Sequence, residues 1–203
     1  MHGEAQYADD IAVMSGTAHG FQTLLTCYND ASKRFGVKVN AKKTEAMCLG
    51  PESDFFLDDI KLKNVDRFKY LGGFVNQALK TEITARIQAT SHAFNSLKQR
   101  VFDSHDLSTN TKISLYKQCL LPILLYGSET WTLYQQEIKQ LRTIQQRHLR
   151  SILKIRWFDF VANEVVVTKS DVVVIEVLLA KSRLRWLGHV SRVKDNRTRK
   201  RLL

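Results

Sequence analysis

Apolar positions along this chain follow two different rules, and the change falls near residue 78. Over residues 1–14 the pattern is a turn flanked by short strands. The adjacent carboxylates Asp9-Asp10 do not suit a regular strand interior, whereas Ile11-Ala12-Val13 can pair as one. Phe21, Leu24, Leu25, Tyr28 and Phe35 then fall on one helical face. Thr17 or Ser15 supplies the cap, and Gly36 supplies the stop. Val37 and Val39 alternate with Lys38 and Asn40 as a strand, Ala46, Met47 and Leu49 predict another, and Gly50-Pro51 ends it. Two more short strands are expected around 60–62 and 70–75.

From Thr81 onward the spacing is helical. Ile83, Ile87, Phe94, Leu97 and Val101 mark a first helix. Ser108 caps a second, through Ile113, Tyr116 and Leu120, which Pro122 is expected to bend or end. Ile138, Leu141, Ile144, His148, Leu149 and Ile152 predict a third over 135–155, and a last helix covers 175–190. The valine-rich stretch 161–175 reads as strand or loop. The fold class is therefore α+β up to residue 78 and mostly α beyond it, with no internal repeat.

A chain of 203 residues with 44% apolar content can bury a real core. No apolar run reaches the roughly 18 residues of a membrane span; Cys119–Tyr126 is too short and holds a proline. The first residues lack the charged and apolar regions of a secretory signal. Cys27, Cys48 and Cys119 are far apart and odd in number, without zinc spacing. They are expected to be buried thiols in a reducing, intracellular compartment.

Charge adds a strong asymmetry. Residues 1–138 carry 15 Lys/Arg against 15 Asp/Glu, whereas residues 139–203 carry 16 against 5. The whole net charge of +11 thus lies in the last third, which points to a polyanion, nucleic acid before membrane. Arg156-Trp157-Phe158 and Arg183-Leu-Arg185-Trp186 interleave flat cations with aromatic rings there. A solvated basic face that only aids solubility is the plainer alternative.

The pair Asp9-Asp10 is the candidate for metal chemistry. Magnesium takes hard oxygen ligands, usually one or two carboxylates with water and phosphate. Two such ions about 4 Å apart stabilise the attacking and leaving oxygens of phosphoryl transfer. Alone, an Asp-Asp pair is more often a solvated turn. Its context gives it weight. Tyr7-Ala8-Asp9-Asp10 is followed in order by Gly36-Val-Lys-Val-Asn40 with Lys42-Lys43-Thr44-Glu45, then Phe68-Lys-Tyr-Leu-Gly72. After these come Tyr116–Pro122, Leu125-Tyr-Gly-Ser-Glu-Thr-Trp131 and Leu184-Arg-Trp-Leu-Gly-His-Val-Ser-Arg192. This series resembles the reverse transcriptases of non-LTR (LINE-type) retrotransposons, and the last segment resembles their RTE-like branch. Each segment is weak alone, and together they span nearly the whole chain.

The resemblance implies a partial reverse transcriptase palm over 1–78, with the Tyr-Ala-Asp-Asp turn and a primer-grip-like segment. It implies a helical thumb-like region over 79–155 and a basic helical region over 156–203. Asp9 and Asp10 would be the catalytic carboxylates and Mg²⁺ ligands. Tyr7 and Ala8 would lie near the primer terminus. Lys43, or less readily Lys42, would meet the incoming deoxynucleoside triphosphate, with Asn40 orienting the loop. Tyr70, Leu71 and Gly72 would hold the DNA primer on its RNA template. The family also needs an earlier palm aspartate and fingers, which six residues before the turn do not supply. The expectation is therefore an RNA-directed DNA polymerase by descent, inactive as this fragment. The rivals are a non-catalytic nucleic-acid-binding fragment and the product of a decayed element.

In the basic third, Arg142, Arg147, Arg150, Arg183 and Arg185 are the candidate cationic ridge for an RNA–DNA hybrid or single strand. Trp157 is open between base stacking and core, while Trp131 and Trp186 read as core. His148 and His189 read as packing residues rather than metal ligands. The tail Arg197–Arg201 reads as an import signal, a phosphate-binding arm or a frayed end.

Overall fold

A hairpin opens the chain. In the computed structural model, which describes residues 2–8, 10–51, 53–70, 73–75 and 79–192, β1 (His2–Tyr7) pairs antiparallel with β2 (Asp10–Ser15). Tyr7 faces Asp10 across the register, with Ala8 in a turn. Ala8 has φ 53°, the left-handed conformation that tight hairpin turns require of their central residues.

Helix α1 (Ala18–Arg34) follows, with Thr17 as its cap; the Thr17 hydroxyl accepts from the Gly20 amide at 3.1 Å. It ends at Phe35, and Gly36 takes φ 72° just beyond. The expected apolar face holds only in part. Leu25 is buried and Phe21 packs edge-on to Phe55 at 4.7 Å, but Phe35 is 85% exposed because it lies past the last helical turn.

The remaining strands of this part are two or three residues long. β4 (Phe56–Leu57) and β5 (Ile60–Lys61) form a hairpin around Asp58, which has φ 53°. β3 (Glu45–Ala46) runs parallel to β6 (Lys63–Asn64), and β7 (Phe68–Tyr70) pairs with β8 (Gly73–Val75). The strand expected at 37–39 does not form. Val37 is exposed, and Val39 only partly covers the core. Ala46, Phe55, Leu57 and Leu62 close that core with Leu25. α1 also clamps the β4–β5 hairpin by polar contacts. The Gln22 amide donates to the Phe56 carbonyl at 2.8 Å and accepts from the Phe56 amide at 3.0 Å. Asn29 and Lys33 both donate to the Asp58 carboxylate, which holds its pKa below the usual carboxylate value.

The chain divides into two compact units after Ala78. The second is helical: α2 (Leu79–Leu97), α3 (Thr109–Leu115), α4 (Leu121–Leu124), α5 (Gln135–Ile152), α6 (Asn163–Ser170) and α7 (Ile175–Ser191). Two π-helical turns, Lys98–Phe102 and Tyr116–Leu120, extend α2 and α3. Pro122 falls in the first turn of α4, where its missing N–H costs nothing, so the chain stays helical past it. Gly127 at φ 75° then breaks the helix and turns the chain through Ser128–Thr130 to the buried Trp131.

Residues 161–175, read as strand or loop, contain α6. Val166 is fully buried while Val165 is 43% exposed, so one face packs and tertiary contact overrides the β-branched preference. Asp171 at φ 49° ends the helix.

Two apolar clusters hold the helical unit together. One joins Phe94, Phe102, Tyr116 and Leu120 to Leu149, Ile152, Val166 and Val172. The other joins Ile83, Leu124 and Trp131 to Leu141, Ile144, Ile175 and Leu179. α6 and α7 therefore complete cores begun by α2–α5. No described helix is long and apolar enough to cross a membrane.

Candidate nucleic-acid interface

The sequence of α5 carries two interleaved stripes. Leu141, Ile144, His148, Leu149 and Ile152 turn inward and are buried. Lys139, Arg142, Thr143, Gln146, Arg147, Arg150 and Ser151 line an open groove together with Ile155 and Asn163. Positions 139, 142, 143, 146, 147 and 150 share one broad side of the helix, so Lys139, Arg142, Arg147 and Arg150 project into the same groove.

Their charges are not equally available. Arg142 pairs with Glu176 of α7. Arg150 donates to the Val161 carbonyl at 2.7 Å and to Asn163 Oδ1 at 2.9 Å, both neutral, so its charge is kept. Arg147 is exposed and makes no ion pair with a described residue. Arg183 donates to the Trp131 carbonyl at 2.8 Å, which ties α7 to the segment after α4. Arg185 is exposed, and neither Arg183 nor Arg185 lines the α5 groove. Lys139, Thr143, Gln146 and Asn163 were missed by reading the chain for arginines alone; the helical spacing of α5 would have found the first three.

The three tryptophans divide. Trp131 is buried, and Trp186 is half-buried against His189 with ring centres 5.5 Å apart. Trp157, in the short helical turn Trp157–Asp159, is 85% exposed. His148 is 3% exposed, stacked on Phe94 at 4.2 Å and edge-on to Tyr116 at 5.9 Å. Burial, with Arg147 beside it, holds its pKa down to about 4. Two of the cysteines depart from the expectation of burial. Cys27 points away from the Leu25 and Asn29 face of α1, and Cys119 lies beside the buried Leu120 on the outer side; both are exposed.

In the first unit, Asp9, Leu71 and Gly72 lie outside the described residues, as does the tail 197–201, and only the backbone of Tyr7 is described. Ala8 and Asp10 are exposed at the hairpin tip. Asn40 organises the lysine loop. Its side-chain oxygen accepts from the Lys42 amide at 3.1 Å, and its carbonyl accepts from the Lys43 and Thr44 amides at 3.0 Å. Lys42 and Lys43 are exposed, and Tyr70 is half-buried with its ring 6.4 Å from that of Phe68. No hydrogen bond or ion pair joins Asp10, Lys43 and Tyr70 to one another. Among the described residues no three His, Cys, Asp or Glu side chains gather as a metal-ligand set. Asp10 by itself is too small a donor set for two magnesium ions.

No known protein-family profile matches the chain, and no solved structure matches it. Curated relatives do. A transposon-derived protein of Caenorhabditis elegans is 27% identical over 95% of this chain and 72% of its own length. The probable RNA-directed DNA polymerase from transposon X-element of Drosophila melanogaster is 25% identical over 76% of this chain. The RNA-directed DNA polymerase from mobile element jockey, also of Drosophila melanogaster, is 26% identical over 76%. The match spans only 18% of the length of either polymerase. The chain is thus a distant relative of RNA-directed DNA polymerases encoded by transposons.

Proposed function

We propose that this chain is the end of the palm and the thumb-like part of a non-LTR retrotransposon reverse transcriptase, and that it holds nucleic acid without polymerising on its own. In the whole protein the reaction is templated, Mg²⁺-dependent attack of a primer 3′-hydroxyl on a deoxynucleoside triphosphate. The first unit, with its Tyr-Ala-Asp-Asp hairpin and Asn40-organised lysine loop, would contribute part of that centre. The helical unit would grip the RNA template and DNA primer.

The observation that carries this reading is the α5 groove. Lys139, Arg147 and Arg150 line it without a carboxylate partner among the described residues, in a chain related to polymerases. Each phosphate such a groove neutralises adds sequence-independent affinity and steepens the salt dependence.

The test is binding of all 203 residues to an RNA–DNA hybrid across a salt series, beside templated primer extension. Binding should weaken steeply with salt. Lys139→Glu with Arg147→Glu should cut affinity at least 10-fold and flatten the slope by about two phosphates' worth. Binding indifferent to this pair would overturn the groove assignment. Primer extension lost in Asp10→Asn but present in the unaltered chain would overturn the claim that these residues do not polymerise.

A further inference from the structure

The α5 groove ends at an unusual loop. Between Ile155 and Val161, both packed against the first apolar cluster, the chain bulges outward with three aromatic side chains. Trp157 is 85% exposed, Phe158 is 47% exposed and Phe160 is 87% exposed. Folding does not account for them, since none belongs to either core. A cluster of exposed rings this close in sequence marks an interaction surface rather than scattered surface residues.

The loop is held in shape. The Asp159 carboxylate accepts from the Arg156 amide at 2.6 Å, and the Asp159 amide donates to the Arg156 carbonyl at 3.2 Å. Arg150 bonds the Val161 carbonyl and Asn163 on the far side, so one groove cation also staples the loop. Trp157 and Phe158 sit edge-to-face at 5.6 Å, and Arg156 lies over the Phe158 ring at 5.6 Å. Phe160 takes φ 50°, a conformation that a bulky side chain adopts at a cost. Its ring lies in solvent rather than in either core.

We infer that residues 156–160 stack the unpaired bases of a single-stranded nucleic acid whose phosphates run along the α5 groove. The inference rests on the nucleic-acid reading of that groove and specifies its ligand. Rings beside unpaired cations match what single strands offer, namely exposed base faces on a polyanionic backbone. A duplex hides those faces and would use the groove alone. From Lys139 to Arg150 the stripe is about 16 Å long, room for a few phosphates before the strand reaches the rings.

The experiment uses the full chain and three probes: a short labelled oligouridylate, the same strand annealed to its DNA complement, and vesicles of phosphatidylserine and phosphatidylcholine. Trp157→Ala and Phe160→Ala should each weaken oligouridylate binding about 10-fold, with Trp157→Phe retaining most of it. The hybrid should bind the same in all three variants. Arg147→Ala should weaken both nucleic acids and lower their salt slopes by roughly one phosphate. Groove-dependent binding that ignores Trp157 and Phe160 overturns this inference and leaves the proposed function standing. Binding of neither nucleic acid overturns both. Vesicle binding lost in Trp157→Ala, without oligouridylate binding, assigns the rings to a lipid surface and overturns the inference. Because both side chains lie outside the cores, the fluorescence of buried Trp131 checks that each variant is folded.

Discussion

Acid should loosen the helical unit well before ordinary carboxylates titrate, and His148 is the reason. The ring is stacked on Phe94 with its Nδ1 buried and without a hydrogen-bond partner, and its pKa falls from 6.5 to about 4 chiefly by burial. In the unfolded chain the same ring titrates at about 6.5. Between these values the unfolded state binds the extra proton, so stability rises with pH. His148 destabilises nothing above pH 6.5, and its penalty grows as pH falls toward 4. Worked through the linkage relation, the loss between pH 7.5 and pH 5 is about 2 kcal/mol, approaching 3 kcal/mol near pH 4.

All three tryptophans lie in the helical unit, so tryptophan fluorescence follows that unit during urea unfolding. A loss of about 2 kcal/mol moves the urea midpoint down by roughly 1 M. His148→Phe keeps a ring against Phe94, removes the orphaned nitrogen and cannot protonate. Its midpoint should stay nearly level from pH 7.5 to 5 while that of the unaltered chain drops. Asp58 and Asp103, the carboxylates with depressed pKa values, titrate below this window. If the two midpoints fall in parallel over this range, the acid sensitivity belongs to other groups and the argument from His148 fails.

Two further predictions concern polar groups in the same unit. Glu82 and Arg86 form an i, i+4 pair at 2.6 Å with both side chains largely buried, and Arg86 lies over the Tyr126 ring at 4.6 Å. Glu82→Ala removes the carboxylate from this largely buried pair and should cost about 3 kcal/mol by urea unfolding, whereas a loss below 1 kcal/mol would show that the pair is effectively solvated. Tyr116 is fully buried with an unpartnered hydroxyl whose pKa burial pushes up. Tyr116→Phe should therefore leave stability level or raise it by about 1 kcal/mol, and a clear loss would reveal a hydroxyl partner.

Where the sequence pattern was long and amphipathic, it was readable. α1, α2, α5 and α7 fall near their expected ranges because each carries several turns of apolar spacing, and Thr17 and Ser108 cap where their side chains predict. Short elements were not readable. Val37-Lys-Val39 alternates like a strand but finds no partner, and β3 to β6 are two residues each, below the length at which alternation signals anything. α6 was obscured by its valines, because the burial of Val166 decides its conformation and no local preference reports that. The candidate site shows the same division. The basic surplus was visible as composition, but which cations are free depends on partners remote in sequence: Glu176 for Arg142, and the Trp131 carbonyl for Arg183. Exposure of Phe160 depends on one positive φ, which phenylalanine gives no reason to expect.

The basic third is also inseparable from the fold, which settles how its charge should be tested. Read from composition, residues 139–203 look like an arm that could be removed to ask whether it binds. In the structure they supply eight of the seventeen buried residues of the two clusters: Leu141, Ile144, Leu149, Ile152, Val166, Val172, Ile175 and Leu179. At about 1.5–3 kcal/mol for each buried side chain, their removal takes away more than the whole stability of a typical domain. A chain ending at residue 138 should therefore lose near-ultraviolet circular dichroism from Trp131 and bind a hydrophobic dye, because Ile83, Phe94 and Leu124 lose the face they pack against. Lost nucleic-acid binding in that chain would then report unfolding. Charge reversal at Lys139 and Arg147, on the outer stripe of α5, alters the field and leaves the inner stripe intact. A cooperative, dye-silent 1–138 would mean that α2–α4 form a core of their own and that the charged helices are an appendage after all.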